Sequence, residues 1–521
     1  MKKISAILAA LAISVTVFGQ SAADALMMSQ EYYEGTARSM AMGSAFTAVG
    51  GDLGAVAINP ASSGIYRYSQ FSFTPSLTIT PYESEYLGNF SKGNNSRMTF
   101  SNAGFVASIN PGNTSGLLNY NFSAVYNRKR TFNGMLSAWG DTDDSSMLSS
   151  IAASVNGYHS KDLEKSDSYN PYLNSSAPWR GILAWNTYGL ATMSQIDEEQ
   201  FPDIDYEYAA STENYDPDTK ELFVADKLRQ TFSRSTYGGI QEFTFNFGCN
   251  FSDKVFFGVN LNMEAVNYTE VDNYSEEAFD IEAFQDKFAK MSTSYWRQTT
   301  GAGFNMKFGL IATPVGGLRL GATFTTPTWY SLKDTWNYDM TMAFGNGKKY
   351  SATSATGMFN YRTTAPLRFS LGLAYTFKGF GLLSFEYERV DYSAARLKDN
   401  MGNVALFNEE NSYIASNYGA SNILRAGGEI FIKRLALRGG YNYYSTCYKS
   451  TGFNSYGAVS SWSCGAGLNI TKRFSVDAVF QRFNMGSDTF QLYDDYYDLA
   501  APRGNVKSKV DKVAVSLTFK F

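Results

Sequence analysis

The sequence contains very few of the residues from which catalytic and metal sites are usually built. There is one histidine, His159, and there are three cysteines among 521 residues, so a metal centre or a Cys/His nucleophile has few candidates. No G-x-S-x-G motif places a serine nucleophile for His159, and a lone histidine in a loop is usually solvated. We therefore predict that the protein is not an enzyme and that it has no metal site and no cofactor.

An excess of charge and long apolar segments are also lacking. The 44 Lys and Arg residues nearly balance the 48 Asp and Glu residues, and no basic patch alternates with aromatic residues. This balance argues against nucleic acid as a partner. Beyond the N-terminus, no stretch approaches the about 20 consecutive apolar residues that a transmembrane helix requires. No Pro/Ser-rich linker divides the chain into separate domains.

Aromatic residues and strict two-residue alternation are what the sequence has in excess. It contains 39 Phe, 36 Tyr and 7 Trp. In the last nine residues, 513–521, apolar residues occupy every odd position, and Phe243, Phe245 and Phe247 alternate in the same way with Thr244 and Asn246. Such strands have one apolar and one polar face. Repeated along the chain, the pattern predicts an all-β transmembrane barrel with two aromatic girdles.

The alternation predicts about fourteen antiparallel strands whose connections are alternately short and long. Short periplasmic turns and long external loops are typical of outer-membrane barrels, whereas a soluble sandwich gives no reason for this regularity. With both termini on the periplasmic side, the number of strands must be even. The segment 317–342 is therefore predicted to be one strand that passes through Pro327. The segment 277–291 predicts an amphipathic helix in an external loop. The long connections are 80–96, 131–236, 273–292, 343–353, 393–420, 448–457 and 486–505.

The two ends of the chain indicate export and assembly. Lys2-Lys3, an apolar run and small residues predict a signal peptide over 1–19, with cleavage after Gly19 or as late as Ala23; a retained helix is the alternative. We expect a small-residue plug, called the hatch, over 24–66, and a barrel over 67–521 with a long external loop at 131–236. The final strand, which ends at Phe521, is the expected contact with the barrel-assembly machinery. The predicted location is the outer membrane, with its lipid as a partner.

Two motifs in the hatch carry a family resemblance. Gly43-Ser-Ala-Phe-Thr-Ala-Val-Gly-Gly-Asp52, followed by Ala57-Ile-Asn-Pro-Ala61, resembles the N-terminal hatch of the FadL/TodX family of outer-membrane transporters. The segments 318–327, 366–375 and 437–441 resemble later strands of that family. The loop 131–236 is longer than is typical there. We assign six residues to the conformation of the hatch, since proline fixes φ and asparagine tolerates a turn: Gly50, Gly51, Asp52, Asn59, Pro60 and Ala61.

The resemblance implies passive transport of long-chain fatty acids or other hydrophobic compounds. Members of that family capture ligand at an external groove and pass it to a site in the lumen. In the proposed family mechanism, ligand then leaves sideways through the wall after the hatch shifts, without ATP or TonB. The alternatives are a general porin or a surface receptor barrel for another hydrophobic ligand. The hatch distinguishes the transporter from a general porin, because an open porin needs no plug.

Positively charged residues of the lumen are the candidates for binding a fatty-acid carboxylate, because the guanidinium group binds both oxygens of a carboxylate. The alternation places four arginines on the polar stripes. Alternatively, they pair with Glu386, Glu388 or Glu429 to hold the barrel interior. Cys447 and Cys464 flank one loop, and a disulfide between them remains open. The four candidates are Arg319, Arg368, Arg425 and Arg438.

Overall fold

A computed structural model describes residues 21–450 and 457–521 of the chain, and the predicted signal peptide lies outside them. Its main sheet is a closed antiparallel wall, because the last strand pairs with the first, with Phe71 opposite Phe519. Fourteen wall strands form this barrel, so the predicted fold class is confirmed. Among the described residues, no helix is long and apolar enough to cross a membrane.

The strands are numbered here in chain order. The first half comprises β1 (Gln70–Tyr86), β2 (Asn89–Ile109), β3 (Leu117–Thr131), β4 (Gly134–Thr142), β5 (Leu190–Thr192), β6 (Tyr208–Ala210), β7 (Glu213–Asp216), β8 (Glu221–Val224), β9 (Leu228–Phe251), β10 (Val255–Ala278) and β11 (Phe288–Val315). The second half comprises β12 (Leu318–Thr325), β13 (Thr328–Phe344), β14 (Lys349–Thr353), β15 (Gly357–Ala365), β16 (Arg368–Phe377), β17 (Gly381–Asp391), β18 (Arg396–Asp399), β19 (Ala420–Ile432), β20 (Leu435–Tyr444), β21 (Val459–Asn469), β22 (Phe474–Gln491) and β23 (Arg503–Lys520).

The helices lie in the hatch and in the external loops. The hatch contains α1 (Ala22–Ser29), α2 (Ala37–Ala41), α3 (Leu53–Ile58) and a 3₁₀ helix, Pro60–Ile65. The external helices are α4 (Met147–Val155), α5 (Ser160–Leu163), α6 (Pro171–Asn174), α7 (Trp179–Asn186), α8 (Met193–Ile196) and α9 (Asn408–Asn417), together with the 3₁₀ turns Ile281–Ala283, Tyr392–Ala394 and Ala405–Phe407.

Two wall strands are interrupted at prolines, which corrects one prediction. The strand expected over 317–342 is divided at Thr326–Pro327 into β12 and β13, both of which pair with β11. The neighbouring wall strand is divided at Pro366–Leu367 into β15 and β16. Proline has no amide proton for the ladder, so each strand bends there and then resumes. The two segments of each divided strand follow each other along the same line of the wall, so each pair counts as one of the fourteen wall strands.

Two of the connections that were predicted as long loops, 80–96 and 273–292, consist largely of strand. The prediction of a helix over 277–291 is wrong. A two-residue turn, Leu87-Gly88, joins β1 to β2, and both of its residues have positive φ. The β10 and β11 strands continue upward to a single 3₁₀ turn. Phe284, Phe288 and Met291, whose spacing predicted the helix, are fully buried in an external apolar cluster. β11 reaches 28 residues.

The two faces of the wall differ as the alternation predicts. Phe243, Phe245 and Phe247 are exposed on the outer face, whereas Thr244 and Asn246 are buried. The hatch fills the lumen, and its side chains, such as Phe46 and Leu53, are fully buried. This arrangement is that of a barrel whose outer face meets lipid and whose inner face holds a plug.

Lumen-facing glycines of the wall allow the hatch backbone to touch the strands. A β-carbon added at Gly321 would lie 2.0 Å from the carbonyl oxygen of Thr47. One added at Gly309 would lie 1.9 Å from the side-chain oxygen of Asn59. No larger side chain fits in these positions while the hatch stays in place, so glycine is required there by close approach of the backbone.

The long loop predicted over 131–236 builds an external cap. Helices α4 and α7 pack with the upper parts of β10, β11 and β13 in one apolar cluster, which includes Leu148, Ile182, Phe288 and Met340. The N-terminus of α4 is fixed by Glu276 of β10, which accepts a hydrogen bond of 2.7 Å from the backbone amide of Met147. The cap therefore covers the mouth of the barrel.

Candidate ligand path through the plugged barrel

The predicted hatch residues hold the fold of the plug. Gly50 and Gly51 have φ of 64° and 67°, a conformation that glycine adopts without strain. Asp52 caps α3 by accepting the Gly54 amide at 2.9 Å, and it accepts the Thr36 hydroxyl at 2.6 Å. These contacts place the turn 50–52 and the start of α3.

Asn59 and Pro60 fasten the hatch to itself and to the wall. The Asn59 side chain accepts the Ala61 amide at 2.9 Å and donates to the Thr47 carbonyl at 2.6 Å. It also donates to the backbone carbonyl of Leu310 in β11 at 3.2 Å. Pro60 begins the 3₁₀ helix, where its missing amide proton is not needed. The Asn-Pro-Ala segment therefore has a structural role: it connects α3 to the 3₁₀ helix and attaches the hatch to β11.

Four charged residues of the hatch pair with charged residues of the wall. Glu31 contacts Lys129 at 2.7 Å and Arg368 at 3.1 Å. The remaining pairs are Asp24 with Arg297 at 3.0 Å, Glu34 with Lys512 at 2.7 Å and Arg38 with Glu429 at 2.7 Å. Removing one partner of a buried pair typically costs about 3–5 kcal/mol, so these contacts lock the plug in one position.

The four arginines predicted from strand parity do not share one site. Arg368 and Arg425 meet around Glu388, which they contact at 2.6 and 2.8 Å, and Arg425 also pairs with Glu386. Arg438 lies between Glu429 and Asp477, at 2.6 Å from each.

Arg319 donates to the carbonyl oxygen of Val49 and, among the described residues, makes no ion pair. Three of the four arginines therefore have the structural pairing that was the alternative prediction.

Two cavities lie at opposite ends of the plugged lumen. The external cavity has a volume of about 390 Å³ and lies under the cap. Its lining includes the aromatic residues Phe232, Tyr274, Tyr295 and Phe490, the arginines Arg180 and Arg234, and the carboxylates Asp272 and Asp494. Arg234 is held by Asp272 through two hydrogen bonds of 2.8 and 2.6 Å, whereas the Arg180 guanidinium lies 5.4 Å from the ring centre of Tyr338.

The second cavity, of about 240 Å³, opens beside Gly51 and Asp52 and is lined by Arg38, Glu429 and Arg438. Between the two, around Glu31, Tyr33 and Arg368, the free volume is only about 10 Å³. That is about the space of one water molecule, so the lumen is closed at the level of the hatch.

The wall ladder between β2 and β3 is incomplete, and the hatch covers the interruption from inside. β2 pairs with β3 only up to Asn102, opposite Asn127. Just above, the backbone amide of Glu34 donates to the carbonyl of Arg128 at 3.0 Å, and Ser101 donates to the Glu34 carboxylate at 3.0 Å. The hatch thus adds a short strand pairing to β3 where β2 has departed from it.

Sequence reasoning missed the charged residues that connect the hatch to the wall. Lys129 and Lys512 are buried on the lumen face, and strand parity could have identified them in the same way as the arginines. Asp24, Glu31 and Glu34 lie in a segment without periodicity, so no sequence signal announced their partners.

A closed wall with an internal plug and two separated cavities defines the class of protein: a plugged transmembrane β-barrel. No protein-family model matches the chain, and no curated protein matches it. The chain is similar in structure to a FadL homologue from Pseudomonas aeruginosa, with a TM-score of 0.53 and 13% identity, over 94% of this chain and 99% of that chain. At this identity the likeness concerns the fold, and at that level it confirms the resemblance to the FadL/TodX-type family.

A second solved structure is the toluene transporter TodX of P. putida, with a TM-score of 0.48 and 13% identity over 95% of this chain and 99% of that chain.

Proposed function

We propose that this chain is an outer-membrane passive transporter for hydrophobic small molecules, gated by its hatch. The observation that carries the proposal is the closed lumen: a cavity of about 390 Å³ under the cap is separated from a cavity of about 240 Å³ at the other end. A general porin would not fill its lumen with buried, ion-paired chain. Passage therefore requires the hatch to move.

The external cavity suits an amphipathic ligand with an acidic group. Its volume falls in the range of about 300–1,000 Å³ that is usual for small-molecule sites. Phe232, Tyr274 and Phe490 supply apolar surface, and Arg180 supplies a cation that makes no ion pair with any described residue. Long-chain fatty acids are therefore the substrates we propose first.

The hatch also supports a route for release through the wall. Glu34 occupies the edge of β3 where the ladder to β2 ends, and outside this point Met98 and Phe100 are 80% and 53% exposed. Withdrawal of the segment that carries Glu34 would leave the interrupted ladder uncovered. We propose this place for sideways release.

A reversible tether between the hatch and the wall tests the gating proposal. The backbone amide of Ala37 in the hatch donates to the side-chain oxygen of Ser516 in β23 at 2.6 Å, so the side chains of these two residues are neighbours and neither position is a glycine. The variant is Ala37→Cys with Ser516→Cys in a background without the three native cysteines. Labelled oleate uptake is measured in host cells that lack their own fatty-acid transporter. We expect the oxidised form to block uptake and the reduced form to restore it.

The reduced form of the same variant is the matched control, because the two forms differ only in the tether. Equal uptake by both forms would refute hatch gating. The ligand class is tested separately by equilibrium binding of a labelled fatty acid and of its methyl ester to the purified barrel. Binding that requires the free carboxylate supports the fatty-acid proposal, and equal binding of the ester contradicts it.

A further inference from the structure

Three cations stand together on the outer face of the wall. Arg362 of β15 lies directly opposite Lys398 of β18 in their antiparallel ladder. Lys333 of β13 is a diagonal neighbour of Arg362 in the β13–β15 ladder. Their inward neighbours in the β15–β18 ladder, Thr363 and Leu397, are buried in the lumen at 1% and 0% exposure, so Arg362 and Lys398 point outward. These three residues are called the cationic patch.

No described carboxylate forms an ion pair with any of the three side chains of the patch. Two carboxylates on adjoining segments, those of Asp391 and Asp399, accept backbone amides instead. Asp391 accepts the amide of Ser393 at 3.1 Å, and Asp399 accepts the amide of Asn403 at 2.8 Å. The positive charge of the patch is therefore directed to the surroundings of the barrel.

This pairing is unusual for the outer face of the barrel. Like charges directly opposite each other in a ladder are destabilising, and opposite charges are favourable. Elsewhere on the described outer face, directly opposed charges have opposite signs: Glu83 with Lys92, Asp141 with Arg229, Glu277 with Lys290, and Arg482 with Asp511. The Arg362–Lys398 pair has no such compensation, which indicates an anion supplied from outside.

The height of the patch identifies the source of that anion. On the same wall strand, the outward residues from Phe377 to Leu367 are apolar and exposed. At about 3.3 Å per residue and a tilt of about 40°, these residues span about 25 Å, the thickness of a barrel's apolar band. Arg362 lies about 12 Å above Leu367 by the same reasoning. Long cationic side chains at this level reach the headgroups of the outer leaflet.

We propose that Lys333, Arg362 and Lys398 bind the phosphate groups of an anionic lipid of the outer leaflet. The guanidinium group of Arg362 offers a fork to phosphate oxygens, and the two lysines add point charges. The acyl chains of the lipid lie against Trp329 and Leu367, which are 51% and 49% exposed below the patch. This inference rests on the proposed function in one respect, namely that the barrel spans the outer membrane.

The test compares lipids that differ only in phosphate. The purified full chain in non-ionic detergent is titrated with a diphosphorylated, multiply acylated glucosamine disaccharide, with the same glycolipid after removal of its phosphates, and with inorganic phosphate. Bound lipid is quantified and the melting temperature is recorded. The variant is Arg362→Gln with Lys398→Gln. The matched control, Lys507→Gln with Lys509→Gln, removes two exposed cations from β23.

We expect the wild type and the control to bind the phosphorylated glycolipid. The double variant should bind it about 25-fold more weakly, because each of the two lost cations contributes about fivefold to the affinity. Without lipid, the double variant should melt at a higher temperature than the wild type, because the like-charge repulsion is gone. Equal binding by the double variant, or equal binding of the dephosphorylated glycolipid, would overturn the proposal. An equal rise in melting temperature with inorganic phosphate alone would also overturn it.

The measurement contains no transport step. A negative result here leaves the transport proposal standing, and a failed tether experiment leaves the lipid site standing.

Discussion

Substitution of Glu31 by glutamine is expected to loosen the hatch strongly. The Glu31 carboxylate is 6% exposed and contacts Lys129 at 2.7 Å and Arg368 at 3.1 Å. Each cation keeps one other carboxylate, Glu264 for Lys129 and Glu388 for Arg368. We therefore take the lower end of the cost of breaking a buried ion pair, about 3 kcal/mol. Since every 1.4 kcal/mol is a factor of ten, displaced hatch conformations should become about 100-fold more populated.

Hydrogen exchange of the hatch backbone is the assay, because it reports local opening directly. Amides within 24–66 should exchange about 100-fold faster in the Glu31→Gln variant, while amides of the wall strands keep their rates. The matched control is Glu83→Gln, which also removes a paired carboxylate, but one that is 59% exposed and contacts Lys92 on the surface. Exposed pairs contribute about 0–1 kcal/mol, so this variant should exchange like the wild type. Equal hatch exchange in the two variants would refute the reasoning.

Three further predictions concern the wall, the cap and the external cavity. Gly321→Ala should displace the hatch or block assembly, because its β-carbon would lie 2.0 Å from the Thr47 carbonyl oxygen. Gly439→Ala is the control, because its β-carbon would lie 3.9 Å from the nearest atom, the Ser463 carbonyl oxygen. Heat-modifiability on gels compares the yields of folded barrel. Burial raises the pKa of Glu213 in the cap, so its contribution to stability is complete below about pH 4.5 and is lost as pH rises through the higher folded pKa. Glu213→Gln should therefore protect the cap from proteolysis at neutral pH and lose that advantage near pH 4; an unchanged pH profile would contradict this. Arg180→Met should weaken binding of a fatty acid but not of its methyl ester, by about tenfold for one charged hydrogen bond of about 1.5 kcal/mol; equal losses for both ligands would contradict the assigned role.

The sequence pattern located the wall wherever lipid imposes an apolar face. The stripe that includes Phe243 and Phe247 marked the lower half of β9 correctly, because only an outer face against lipid needs that alternation. Above the apolar band, β1 and β10 continue with Glu83 and Glu277 on the outer face. Backbone pairing persists there without an apolar stripe, and the upper strands were therefore predicted as loops.

The lumen charges and their pairing with glutamates of the wall were predictable, but the pairing of the hatch with the wall was not. Strand parity located Arg368 and Arg425 in the interior, where both are buried. Their sharing of Glu388 follows from the ladder register, which places Glu386 opposite Arg425. The contact of Glu31 with Arg368 depends instead on how the hatch is threaded through the closed barrel, and no local pattern encodes that path.

The length of β11 has a consequence for where a ligand first meets the protein. At about 3.3 Å per residue and a tilt of about 40°, its 28 residues rise through about 70 Å. The apolar band takes up about 25 Å of that height. Thr293 and Tyr295 of β11 line the cavity beside Arg180, and by the same reasoning they stand about 20 Å above Ala302, where the outward apolar stripe of this strand ends. In the proposed function, the entrance would therefore meet molecules dissolved in the surrounding medium or carried by its macromolecules before they partition into the membrane.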